Sequence, residues 1–321
     1  MRLRWIFAIV LCCGAVLAAR ETPAGDPPES FSGCANFRAD SDLVIVPVNV
    51  FDSQNRVVNR LDPAYFRVFE DGVEQHIVAV GEDDTPVSVG FVFDTSASIG
   101  AKLDLSRQAV AEFLKTANPN DEFFFLPFGS QPGDVTGFTR RPDDILLQLA
   151  RARSGGTTAL FDAIQAAFLN IRKAHHTRRA IIVISDGGDN HSRITKTEIR
   201  RMARETDAQL YAVGTYEAPG ARHRTAEELT GPELLAEISE QTGGRSFPVL
   251  KSTDTADAAI RIGLELRDQY TIAYRPANRN WNGTYRRITV AGSLPAGFPP
   301  LRFYWRQGYY AAPSPCAAPT S

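Results

Sequence analysis

The sequence predicts an α/β protein, a doubly wound, mostly parallel sheet inserted in a small β-sandwich formed by the N- and C-terminal flanks. Three observations predict it. Near-continuous apolar runs over 87–93 (VSVGFVF), 123–128 (FFFLPF), 180–185 (AIIVIS) and 210–214 (LYAVG) read as strands covered on both faces. Between them Ser106, Ala109, Val110, Phe113, Leu114 and Ala117, then Leu160, Ile164, Ala167, Phe168 and Ile171, recur at helical spacing. On either side the rhythm becomes a two-residue alternation, in Val44, Val46, Val48 and Val50 and again in Tyr270, Ile272 and Tyr274.

Taken in order, residues 1–19 place Arg2 and Arg4 before an apolar run that ends in small residues, which is the pattern of a secretory signal cleaved near Ala18 or Ala19. The run is shorter than a membrane-spanning helix needs, and a retained anchor is the other reading. A flexible Pro/Gly-rich lead-in follows over 20–37. The first part of the sandwich, 38–85, holds strands at 42–52, 66–70 and 75–80, with Asp71-Gly72 as a tight hairpin turn. The inserted domain, 86–267, adds a helix over 232–242 stopped by Gly243-Gly244 and a last helix near 255–267. The second part, 268–311, alternates around Tyr270, around Ile288 and Val290, and from Leu301 to Trp305, with Asn282-Gly283 as a hairpin turn. A flexible tail closes the chain over 312–321. Neither flank can bury a face with its own few strands, so the two are expected to share one sandwich.

The chain has 321 residues and 35 basic against 37 acidic side chains, for a net charge of −2, with 43% hydrophobic content. These values exclude disorder as the main theme, and the charge balance argues against nucleic-acid or anionic-membrane partners. Cys12 and Cys13 leave with the signal. Cys34 and Cys316 remain, either disulfide-bonded in an oxidising compartment or free on the two tails.

The chemistry-bearing residues gather at strand ends. The strand over 87–93 runs into DTSASIG, which puts the oxygens of Asp94, Ser96 and Ser98 on one loop, as a hard cation requires. Taken alone, such a string is equally an ordinary helix N-cap. Two more segments change the balance: SGGTTALFDAI places Thr157 and Thr158 before a helix, and IIVISDGGDN places Asp186 at the end of another buried strand. In a doubly wound sheet these loops share one edge, so Asp94, Ser96, Ser98, one threonine and Asp186 can converge on one ion. Oxygen-only donors favour magnesium, calcium or manganese.

With these residues in view, the segment from about 87 to 250 resembles a von Willebrand factor type A (VWFA) domain with a metal-ion-dependent adhesion site (MIDAS). The DxSxS motif is Asp94-x-Ser96-x-Ser98, the T-x-x-x-x-A/G-I pattern selects Thr158 ahead of Ala163-Ile164, and the later aspartate is Asp186. The resemblance implies a divalent cation, magnesium first and calcium or manganese next, ligated directly by the serines and the threonine and often through water by the aspartates. It also implies a protein partner that presents an Asp or Glu carboxylate to the ion. Strings such as LDPAYFRVFEDGVEQ, LRDQYTIAYRPANRNWNGTYRRITV and RQGYYAAP extend a wider resemblance to the bacterial, acidobacterial-type VWFA-related exported proteins.

The expected function is therefore an exported, periplasmic or secreted, metal-dependent protein-binding module. It is expected to lack catalytic residues and enzymatic activity, and to keep no stable transmembrane anchor after signal cleavage. The alternative is a metal-assisted hydrolase using the same ion to activate water. Asp189, Asn190 and Ser192 read as a solvated turn ahead of a second cation site, and His175-His176 as an exposed helix end. Ser96 and Ser98 have no evident His/Asp partners for a nucleophilic triad.

Overall fold

The computed structural model describes residues 43–215, 226–249 and 252–311, all within one compact unit, Asp40–Ser321. The expectations for the signal segment, the lead-in, the tail and the Cys34–Cys316 pair lie outside the described residues.

Among the described residues four strands precede the central sheet: β1 (Val44–Phe51), β2 (Phe66–Glu70), β3 (Val73–Gln75) and β4 (Ile77–Asp83). The β2–β3 turn is the anticipated Asp71-Gly72, with φ of 49° and 82°, the left-handed pair a tight hairpin requires. The central sheet follows as β5 (Val87–Asp94), β6 (Glu122–Phe128), β7 (Arg178–Ser185), β8 (Gln209–Thr215) and β9 (Ser246–Val249). Its order is β6-β5-β7-β8-β9, parallel throughout.

Among the described residues six helices cover this sheet: α1 (Leu103–Lys115), α2 (Pro142–Arg151), α3 (Leu160–Ile171), α4 (Lys196–Glu205), α5 (Ala226–Thr242) and α6 (Ser252–Arg267). Side chains alternate along β5, so Val89, Phe91 and Phe93 meet α1, α2 and α6 while Val92 meets α3 and its neighbours. Gly90 is required on that second face. A Cβ there would stand 2.1 Å from Cζ of Phe124, whose ring fills the space. Helix α5 begins at Ala226, ahead of the anticipated start at Pro232, so the proline removes one donor from the helix interior instead of opening it.

The chain then returns to β10 (Gln269–Tyr274), β11 (Tyr285–Gly292), β12 (Arg302–Trp305) and β13 (Gly308–Tyr310). The flanks interleave in two sheets, β12-β1-β10-β4 and β13-β11-β2-β3. Val46, Val48, Val50, Phe66, Val68, Ile272, Ile288 and Val290 form the buried layer between them. This is the shared sandwich that too few strands per flank had required. Asn282-Gly283 does not turn a hairpin. Strands β10 and β11 lie in different sheets, and Gly283, at φ 78°, donates its N–H to the Ala311 carbonyl at 2.7 Å.

The inserted domain is joined to the sandwich by residues 84–86 on one side and by Asp268 alone on the other. Buried groups clamp both crossings. Asp121 accepts the Val87 N–H at 2.9 Å and pairs with Arg267, while Arg178 donates to the Thr85 carbonyl at 2.7 Å and to that of Leu266. Beside them Arg245 lies over the rings of Phe51 (4.3 Å) and Tyr304 (4.7 Å) from the sandwich and reaches Glu265 of α6 at 2.6 Å.

Burial pushes the Glu265 carboxyl up to about 7, only partly offset by Arg245. A raised carboxyl binds its proton more tightly in the folded chain, so its contribution to stability falls as pH rises from the unfolded value through the folded one. Glu265 alone is expected to cost about 2 kcal/mol between pH 5.5 and pH 8. Denaturant melts of wild type across that range, with Glu265→Gln as the variant that flattens the slope, check this. An equal slope in both proteins removes Glu265 as its source.

Candidate functional site

The central strand order reverses between β5 and β7, because the chain leaves β5 toward β6 and returns on the other side as β7. Loops leaving the carboxyl ends of those two strands diverge and open a crevice, the usual ligand position of an open α/β sheet. Asp94 is the last residue of β5, and Asp186 follows the last residue of β7.

Asp94 is fully buried. One of its oxygens accepts the Ser96 N–H at 2.8 Å and the other accepts the Ser185 hydroxyl at 2.6 Å. The Ser96 and Ser98 hydroxyls lie 3.0 Å apart. Burial raises the Asp94 carboxyl to about 6 against its hydrogen bonds from Ser185 and Ser96, and the nearby Asp186 carboxylate adds to the rise. Of the five anticipated positions, Asp94, Ser96, Ser98 and Asp186 are thus brought together. Ser98 is exposed and Asp186 is half-buried, so the cluster opens to solvent on one side.

The threonine loop is tied to this cluster through the backbone. The Gly155 N–H donates to the Thr95 carbonyl at 2.7 Å and the Ala97 N–H to the Gly156 carbonyl at 3.1 Å. Gly156 needs its freedom: its φ is 80°, and a Cβ would stand 2.6 Å from the Ser130 hydroxyl. The same loop is tied to the Asp186 side as well, since the Thr158 N–H donates to Asn190 Oδ1 at 2.9 Å. Thr158 is buried and Thr157 exposed. Among the described residues no hydrogen bond joins the Thr158 side chain to the other four.

Several neighbours act in ways the sequence reading did not assign. Ser185 orients Asp94, and its signal was a lone hydroxyl closing an apolar run just before Asp186. Asp189 accepts the Leu160 N–H at 2.9 Å and the Ser192 hydroxyl at 2.5 Å, and Asp162 accepts from the Arg193 N–H at 3.0 Å. These groups cap the start of α3 and hold its loop, so the anticipated solvated turn is instead an inward-facing brace. His175 is exposed, as expected, and is tethered to the buried Glu122 at 2.7 Å.

Packing extends the support to α5. A Cβ on Gly231 would stand 1.7 Å from the Gly187 carbonyl oxygen, in the turn that follows Asp186. Gly231→Ala is expected to force these two backbones apart and to weaken cation binding at least about tenfold without removing a ligand. Titration calorimetry decides it, and wild-type affinity in this variant would uncouple α5 from the site.

The donor chemistry fits a hard cation. Two carboxylates and three neutral hydroxyls are offered, and the buried Asp94 carboxylate has no cationic side chain among its hydrogen-bond or ion-pair partners in the described residues. Among those residues no group of three or more His, Cys, Asp or Glu side chains is placed to hold a metal ion, here or elsewhere, so hydroxyls must complete any ligand set at this site.

Residues 89–188, which contain all five positions, match the family model described as von Willebrand factor type A domain. The inserted domain is a VWFA domain. A protein of Borreliella burgdorferi is 24% identical over 216 residues, covering 56% of this chain, and the alignment spans only 62% of that relative's length. Among solved structures, the chain is similar to a von Willebrand factor type A protein from Catenulispora acidiphila at 11% identity. That match covers 86% of this chain and 74% of the other, with a TM-score of 0.47. BatB from Bacteroides thetaiotaomicron aligns at 19% identity over 56% of this chain and 98% of its own, with a TM-score of 0.44.

Proposed function

We propose that the chain is an exported, divalent-metal-dependent protein-binding module. Asp94, Ser96, Ser98, Thr158 and Asp186 would hold magnesium, with calcium or manganese as the other hard cations of the right chemistry. The bound ion would supply a Lewis-acidic position for an Asp or Glu carboxylate of a protein partner. One observation carries this reading: the VWFA switch point gathers carboxylate and hydroxyl oxygens with no histidine hydrogen-bonded to its serines among the described residues. The Ser96 and Ser98 hydroxyls hydrogen-bond each other, and among the described residues no histidine or lysine hydrogen-bonds either. Two carboxylates neutralise a divalent cation without excess, so a third remains attractive to it.

The test is capture of a partner from the native envelope or secreted fraction by wild type and by Asp94→Ala, with and without EDTA. Capture that needs both the metal and Asp94, and that an acidic peptide of the partner competes away, supports the reading. Metal-independent capture overturns it, and metal-dependent turnover of generic ester or phosphate substrates would move the site to hydrolysis.

The resemblance to VWFA domains that couple metal coordination to movement of their last helix implies that occupancy alters amide exchange from Thr255 to Tyr274, where α6 passes into β10 through Asp268 alone. Unchanged protection there on partner binding would separate the sandwich from the site.

A further inference from the structure

At the opposite edge of the central sheet from the cation site, a cavity of about 780 Å³ opens between the VWFA domain and the sandwich. Its size is that of a small-molecule pocket, and a junction between domains is where such pockets are commonly found. Phe168 and Met202 give it an apolar floor, the rings of Tyr309 and Tyr310 a wall, and Leu169, 53% exposed, stands at its mouth.

Its charges are unevenly satisfied. Arg179 is paired with Asp207 at 2.5 Å, and Glu205 has Arg201 within 3.9 Å. Arg306, from the sandwich, has no carboxylate within ion-pair distance among the described residues, and its guanidinium meets only the Arg204 carbonyl, at 3.4 Å. Burial pushes the Arg306 pKa down, and the nearby Asp207 carboxylate, already paired with Arg179, offsets this only in part. Arg172 on the rim also lacks an ion-pair partner among the described residues.

We propose that this cavity binds an organic carboxylate with an apolar body, its charge on Arg306 and Arg172 and its body against Phe168, Met202 and the two tyrosine rings. A planar guanidinium presents two parallel donors to a carboxylate, and a half-buried one gains more from the pairing than an exposed one. The apolar lining adds affinity in proportion to the surface it covers.

Octanoate is the probe, titrated into the full chain by calorimetry in EDTA so that the cation site cannot hold it. One molecule is expected to bind per chain, with 1-octanol at least about tenfold weaker. Arg306→Gln is expected to bring octanoate down to the level of the alcohol. Leu169→Glu changes an exposed residue, leaves the core intact and sets a negative charge at the mouth, and it is expected to weaken octanoate by a similar factor. Asp94→Ala should leave octanoate binding as in wild type. The proposal is overturned if octanol matches octanoate, if no saturable binding occurs, if Asp94→Ala abolishes binding, or if either folded cavity variant binds as wild type does.

Discussion

Asp94→Ala is expected to abolish binding of magnesium, calcium and manganese, a loss of at least about a hundredfold or ~2.7 kcal/mol. The carboxylate is fully buried at the switch point, and both its oxygens are oriented by neighbours. The variant also leaves the Ser96 N–H and the Ser185 hydroxyl without their acceptor, at about 1–3 kcal/mol each. Removal of a buried carboxylate with no cationic partner offsets part of that cost. The decisive quantity is therefore the metal-dependent increment in stability. At a hundred times its dissociation constant a cation should add ~2.7 kcal/mol to wild type and nothing to the variant. An equal increment in both would remove Asp94 from the site. Thr158→Ala should weaken binding more than Thr157→Ala, because Thr158 is buried beside the cluster and Thr157 faces solvent. The reverse result would move the ligand by one position.

Arg286→Met is expected to destabilise the sandwich by about 3–5 kcal/mol. Arg286 is 1% exposed and meets Glu70 Oε1 at 3.0 Å and the carbonyls of Asn278 and Asn280 at 2.7 Å each. Glu70 in turn accepts from the hydroxyls of Tyr274 at 2.8 Å and Tyr309 at 2.9 Å. Truncating the arginine strands a carboxylate between two sheets, with only phenols to solvate it. The double variant Glu70→Gln, Arg286→Met should recover much of the loss, since no charge then remains to desolvate. Chemical denaturation checks both, and a single-variant cost below about 1 kcal/mol would show that water reaches the pair.

The candidate site was legible because its residues are local motifs on strand ends: Asp94, Ser96 and Ser98 share one loop, and Asp186 follows an apolar run. The sandwich was legible from a deficit, since the alternation at Val44–Val50 buries a face only if distant strands cover it. The Glu70–Arg286 pair was not legible, because its members are separated by 216 positions and look like any two charged residues on alternating strands. Helices α2 and α4 were missed for another reason. Each is ten residues long with two buried side chains: α4 is mostly charged, and α2 spreads leucines onto its exposed side at Leu146 and Leu147, so neither shows a clean apolar stripe. The capping box of Thr195 and Glu198 was the available clue to α4. Asn282-Gly283 misled because its left-handed glycine serves a crossing between sheets, where the same backbone shape is needed without strand pairing.

The pairing of Asp83 with Gln269 makes residues 84–268 the loop of a single antiparallel hairpin, β4 with β10. Closing so long a loop from a disordered chain costs roughly 5 kcal/mol in entropy, and a folded VWFA domain removes that cost by holding its two ends one strand apart. During synthesis β1 emerges early, yet both of its neighbours, β10 and β12, are encoded some two hundred residues later. Its apolar face, Val46, Val48 and Val50, then waits without a cover and is open to wrong partners, while β2 and β3 already pair with each other. The time needed to make and fold the inserted domain sets the length of that wait, so variants that slow VWFA folding endanger strands they never touch.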